Sequence, residues 1–163
     1  MIEILGDVLK QKDANAICFT SNGVVKSDGT LTMGAGNALA FKKKFDWVAK
    51  TAGEYVKKNG NVVGALGWDT YDNSYLDAIP YDPDYIPKRW VLNFPTKNHW
   101  KAPSDLALII RSAKRLVELT NEHGWKKVYL CRPGCGLGQL SWEHKVKPAL
   151  LNILDDRFFI CHI

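Results

Sequence analysis

The residues that could perform chemistry in this sequence are one lysine, one histidine and two glycine-rich segments. Lys97 stands in Asn93-Phe94-Pro95-Thr96-Lys97-Asn98-His99-Trp100. Against apolar and aromatic neighbours, a lysine loses part of the solvation that favours its charged form and becomes nucleophilic toward a sugar carbonyl or C1. By residue type alone, a solvated lysine bonding a phosphate or a helix end is the commoner case. His99 offers a general base, with a structural hydrogen bond as the default for a lone histidine. The glycine segments are Met33-Gly34-Ala35-Gly36-Asn37 and Pro133-Gly134-Cys135-Gly136-Leu137-Gly138. Glycine lets backbone N–H groups approach an anion and point at it, and a following helix N-terminus adds a favourable dipole. Two such loops facing each other would clasp both halves of a diphosphate; singly, each is explained by tight turns.

Familiar phosphate motifs are absent. Leu39 and Gln139 stand where the dinucleotide fingerprint requires a third glycine, and no Gly-x-x-x-x-Gly-Lys-Ser/Thr occurs. Ser141 occupies the place, six residues beyond Cys135, where a cysteine phosphatase needs arginine. Both nucleoside triphosphate hydrolysis and cysteine-based phosphate chemistry lose weight accordingly. Cys18, Cys131, Cys135 and Cys161 contain no Cys-x-x-Cys pair, which disfavours a zinc ribbon or a dithiol redox site. No metal and no cofactor is expected. Free cysteines in apolar strand-like runs suit a reducing, cytoplasmic compartment.

These groups need strands and helices to position them. Ile2–Leu5, Ala16–Thr20, Val62–Leu66, Trp90–Phe94, Lys127–Cys131 and Phe158–Ile163 read as strands, and Gly34–Phe45, Asp46–Lys58, Ser104–His123 and Ser141–Leu154 as helices. The clearest helix carries Leu106, Ile109, Ile110, Ala113, Leu116 and Val117 at helical spacing, with Ser104 as N-cap and Gly124 as its stop. Strands alternating with helices predict an α/β fold with parallel pairing and helices on both sheet faces. Both glycine segments and Lys97 then fall beyond carboxyl ends of strands, the edge where open α/β sheets bind ligands. Trp68–Lys88, with three of the seven prolines, reads as a long surface loop or lid, or as an ordinary connection.

A length of 163 residues predicts one domain, spanning 1–163, large enough to need no disulfide or metal staple. Apolar residues at 46% and charged residues at 24% exclude a disordered chain or a fibre. Apolar runs such as Leu106–Ile110 are too short to cross a bilayer, so no membrane partner is expected, and residues 1–7 lack the pattern of a signal peptide. The net charge of +5 favours anionic partners without requiring nucleic acid, and Lys42-Lys43-Lys44 reads as a solvated helix face.

In their order and spacing, Gly6-Asp7, Asn22, Met33-Gly34-Ala35-Gly36 with Phe41-Lys42-Lys43-Lys44-Phe45, Pro95-Thr96-Lys97 and Gly134-Cys135-Gly136-Leu137 with Trp142 resemble the macrodomains. The nearest branch contains the terminal ADP-ribose protein glycohydrolase and the antitoxins that remove ADP-ribose from DNA. The resemblance implies a three-layer α/β/α sandwich with a mixed, mostly parallel sheet and an ADP-ribose cleft at the strand ends. It assigns adenine contact to Asp7 and the backbone of Val8, the distal ribose to Asn22, and the diphosphate to Met33, Gly34, Ala35, Gly36 and Asn37 with Pro133, Gly134, Cys135, Gly136, Leu137 and Gly138. Lys97 matches the lysine that attacks, or assists attack at, the anomeric carbon of the distal ribose. In the protein glycohydrolase the second loop reads Gly-Cys-Gly-Leu-Asp and the Asp completes the reaction, whereas Gly138 stands here. The DNA-directed antitoxins also lack that Asp, and their Pro-Thr-Lys continues to His-Trp as His99-Trp100 does. The implied activity is hydrolytic removal of ADP-ribose from a modified macromolecule, DNA or protein, with single-stranded nucleic acid as a partner suited to Trp100 and the positive charge. The alternatives are an ADP-ribose reader without chemistry, an ADP-ribose 1″-phosphate phosphatase, and a nucleotide-binding enzyme of another α/β fold.

Overall fold

The computed structural model describes residues 1–70 and 88–163. Strand β2 (Ala16–Ser21) opens with four apolar residues and is buried along nearly its whole length, which suits a strand covered on both faces. Its side chains alternate accordingly. Ala16 and Cys18 enter one core, and Ile17 and Phe19 enter the other. Around it lie β1 (Ile2–Leu5), β3 (Gly64–Thr70), β4 (Lys88–Pro95), β5 (Val128–Cys131) and β6 (Phe158–His162), in the order β1-β6-β5-β2-β4-β3. Every pairing is parallel except β3 with β4.

Helices α1 (Gly36–Lys44) and α2 (Val48–Asn59) cover one face, burying Phe41, Val48 and Ala52 against Ile17, Phe19 and Val91. On the other face, α3 (Leu106–His123) and α4 (Lys147–Leu150) bury Ile109, Leu116 and Leu150 against Leu92, Phe94, Leu130 and Ile160. The result is the three-layer α/β/α sandwich with a mixed, mostly parallel sheet. Lys42, Lys43 and Lys44 form an exposed last turn of α1.

The sheet is mixed because β3 returns antiparallel along β4, with a bulge between Ala65 and Gly67. Three expectations change. β3 also runs on to Thr70, so Trp68–Thr70 and Lys88 belong to strands; the rest of the expected Trp68–Lys88 loop, 71–87, lies outside the described residues. The N-cap of α3 is Asp105, whose Oδ1 accepts from the N–H groups of Ala107 and Leu108, while the Ser104 side chain turns elsewhere. Finally, Ser141–Leu154 is not one helix. Residues Trp142–Val146 form a π turn in which Val146 N–H donates to Ser141 O, and α4 follows. Pro148, with no N–H to give, thereby falls in the first turn of α4, where none is required.

Candidate active site

A cleft of about 590 Å³ opens at the carboxyl ends of β2, β4 and β5. Its first wall is the segment leading into α1. Ala35 is extended and offers no side-chain cap, so the first N–H groups of the helix have no partner from the cap. Asn37 joins this turn to the sheet, its Oδ1 accepting from Thr20 N–H at 3.0 Å. Asn22 ties down the neighbouring loop, donating from Nδ2 to Thr32 O at 3.0 Å and accepting from Val24 N–H at 2.9 Å.

The second wall is built by turns that engage carbonyls. Gln139 N–H donates to Gly136 O, Leu140 N–H to Gly134 O and Ser104 N–H to Gly138 O, each at 3.0 Å. Among the described residues the N–H groups of Gly136, Leu137 and Gly138 have no hydrogen-bond partner, as an anion cradle requires. Two glycines are obligatory here. Gly134 has φ +75°, and a Cβ on it would lie 2.6 Å from Ile109 Cδ1. A Cβ on Gly138 would lie 2.2 Å from Ser104 Oγ and 2.5 Å from Gly134 O. The walls nearly meet, since a Cβ on Gly36 would lie 3.5 Å from Leu137 Cδ1.

Lys97 lies between the walls on a strapped loop. Thr96 N–H donates to Ser21 O at 2.9 Å, Asp105 N–H donates to Thr96 O at 2.8 Å, and the Asn61 side chain donates to Lys97 O at 3.0 Å. Among the described residues no carboxylate pairs with the Lys97 ammonium. His99 is exposed, and its Nδ1 accepts from Lys101 N–H, a structural bond.

Both cleft cysteines are poor nucleophiles. Burial pushes the Cys131 thiol up to about 11, and burial also raises Cys135. Among the described residues no group of His, Cys, Asp and Glu is arranged to hold a metal ion.

The residues expected from sequence are placed as follows. Lys97, Asn22, Met33, Gly34, Ala35, Gly36, Asn37, Gly134, Cys135, Leu137 and Gly138 line one cleft. Pro133 and Gly136 belong to the second wall without lining it. Asp7 and Val8 lie outside the lining: Asp7 Oδ1 accepts from Leu9 N–H, and Val8 is buried. Trp100, which the sequence suggested only as a surface for single-stranded nucleic acid, also lines the cleft, as do Thr96, Ser104 and Arg132, which were not expected there. Arg132 was accessible to the strand-end rule, because it directly follows β5. It donates to Glu3 Oε1 at 3.3 Å and lies 5.4 Å from the Trp142 ring. Glu3 also accepts from Trp142 Nε1 and, at 2.9 Å, from Lys147. The Lys147 bond is the main cause holding the Glu3 carboxyl below its ordinary value; partial burial opposes it and Trp142 adds to it.

Residues 26–149 match the family model described as Macro domain. DNA ADP-ribosyl glycohydrolases of Mycobacterium tuberculosis (strain ATCC 25618 / H37Rv) and Thermus aquaticus (strain ATCC BAA-2747 / Y51MC23) are 35% and 34% identical, over 85% and 76% of this chain. The chain spans about a third of the length of these relatives, 34% and 31%. Among solved structures, the macrodomain of Mycobacterium tuberculosis DarG is 28% identical with a TM-score of 0.68, covering 99% of this chain and 97% of that one. Thermosipho africanus DarTG in complex with ADP-ribose is 26% identical with a TM-score of 0.72, covering 98% of this chain and 40% of that one. With its six-stranded mixed sheet, its two facing glycine walls and this breadth of match, the chain belongs to the macrodomain family.

Proposed function

We propose that residues 1–163 form one macrodomain that binds ADP-ribose in this cleft and releases it hydrolytically from a modified macromolecule, with DNA favoured over protein. The observation that carries the reading is the position of Lys97, which shares one cleft with two glycine walls whose main-chain N–H groups include several without a partner among the described residues. The diphosphate lies between Met33–Asn37 and Pro133–Gly138, where preorganised donors stabilise its charge. Asn22 faces the distal ribose. Asp7 and the backbone of Val8 follow β1 on the same sheet edge and take the adenine. At the distal ribose the bond from the anomeric carbon to the modified atom breaks. Water supplies the new oxygen and the leaving group takes the proton. Lys97 acts as nucleophile or as electrostatic catalyst there. The favoured DNA substrate rests on the relatives named DNA ADP-ribosyl glycohydrolase and on the net charge of +5. Unbridged cysteines suit a cytoplasmic setting, and among the described residues no helix is long and apolar enough to cross a membrane.

A second reading, a reader without chemistry, is favoured by the absence of a carboxylate at Gly138. One experiment separates them. An ADP-ribosylated single-stranded oligonucleotide and an ADP-ribosylated glutamate peptide are incubated with wild type and Lys97→Ala, while calorimetry measures ADP-ribose binding. Release from the oligonucleotide, slowed about 10²–10³-fold by Lys97→Ala, is expected. Binding with equal, negligible release by both proteins leaves the reader.

A further inference from the structure

The rim of the cleft carries two large apolar side chains in solvent. Trp100 is 50% exposed and Leu137 69% exposed, and they come from different loops. Leu137 reaches across to Gly36, which explains its position. Trp100 has no such account. Trp125 and Trp142 are buried in the core, and Trp68, also half exposed, does not line the cleft, so Trp100 is the half-exposed indole that the cleft presents among the described residues.

Trp100 is nevertheless held in place. The His99 ring stacks on it with centroids 5.3 Å apart and planes 26° from parallel. His99 is itself fixed, its Nδ1 accepting from Lys101 N–H at 3.1 Å. The Lys101 ammonium sits 5.1 Å from the indole centroid. An aromatic surface with a cation over it suits a flat π system attached to an anionic chain. Two residues separate Trp100 from Lys97, and both line one cleft, so with Lys97 acting at the distal ribose the indole stands close to the group being released.

We infer that Trp100 is the platform on which the nucleobase carrying the ADP-ribosyl group stacks, with His99 as its positioning residue. This makes an unpaired base the leaving group the cleft selects, and it rests on the ADP-ribose reading of that cleft.

The test uses the Lys97→Ala background to suppress turnover. Fluorescence anisotropy measures binding of a labelled single-stranded oligonucleotide with one ADP-ribosylated base, and calorimetry measures free ADP-ribose. Adding Trp100→Ala is expected to weaken the oligonucleotide about 5- to 100-fold, the worth of one stacked base. Trp100→Phe restores most of that loss, and neither change moves the affinity for ADP-ribose. Unchanged oligonucleotide binding overturns the inference. So does an equal loss for ADP-ribose, which would make Trp100 part of the ADP-ribose pocket. The ADP-ribose titration with Trp100 intact reports on the underlying reading separately: no binding there removes that reading and the platform with it.

Discussion

At Gly138 the question is whether this cleft could acquire the carboxylate found in the protein glycohydrolase. A side chain there would meet Ser104 Oγ and, more stubbornly, the main-chain carbonyl of Gly134. Trimming Ser104 relieves only the first contact. Gly138→Asp is therefore expected to lower stability by about 1–3 kcal/mol through overpacking. It also weakens ADP-ribose binding instead of speeding release. Urea unfolding and calorimetry check this, and a variant as stable as wild type and faster would show that the second wall yields. The thiols allow a second prediction. Since burial keeps Cys135 protonated at neutral pH, Cys135→Ser leaves the release rate within about 3-fold and its pH profile unmoved, a margin near the scatter of surface changes. Lys97 and both glycine segments were legible from sequence because position after a strand is a local property. Arg132 was open to the same rule, but its partner Glu3 and the contact of Ser104 with Gly138 were not legible, because tertiary packing brings them together across 129 and 34 residues of chain.

Among the elements, the Lys97 loop is held by neighbours on either side. The α2–β3 connection supplies Asn61, whose Nδ2 donates to Lys97 O and to Asn98 Oδ1, each at 3.0 Å. The start of α3 supplies Asp105, which donates its N–H to Thr96 O while its carboxylate caps the helix. Asn61→Ala should therefore lower kcat several-fold while ADP-ribose affinity holds, because the diphosphate walls make no use of Asn61; a parallel fall in both would refute that division. Asp105→Ala removes the cap of the longest helix and should cost about 1 kcal/mol, or roughly 2–4 °C in Tm, read by thermal unfolding. The sequence located α3 well, because its apolar period is strong and Gly124, at φ +68°, stops it. It misplaced the cap by one residue, since Ser104 and Asp105 are both good caps and only the packing of Ser104 beneath the second wall decides between them. It misread the β3 end, where Gly64, Gly67 and a bulge blur the strand pattern.

At the scale of the whole molecule, alternation of strand and helix was enough to reach the layers, yet strand order depends on contacts no local pattern encodes. β1 is the clearest case: an edge strand of four residues, paired only with β6 among the described residues. Its Glu3 bridges the edge to the interior by accepting from Trp142, Lys147 and Arg132, and Arg132 lines the cleft. Edge attachment and cleft geometry are thus coupled through one carboxylate. Because the folded-state pKa of Glu3 is depressed, its contribution is complete above the ordinary value of 4.5 and is lost as pH falls through the folded value. Asp13 and Asp155 are depressed as well and add to the same acid limb, so wild type alone does not isolate Glu3. The difference between wild type and Glu3→Gln does. The variant keeps one acceptor oxygen and loses the charge, so it should be less stable near pH 7 and lose less stability on acidification. The two curves therefore converge below pH 4.5. ADP-ribose affinity should follow the same convergence, since Arg132 faces an uncharged partner in both proteins. Urea unfolding and calorimetry across that range measure both, and curves that stay parallel through it would show that Glu3 does not connect the sheet edge to the cleft.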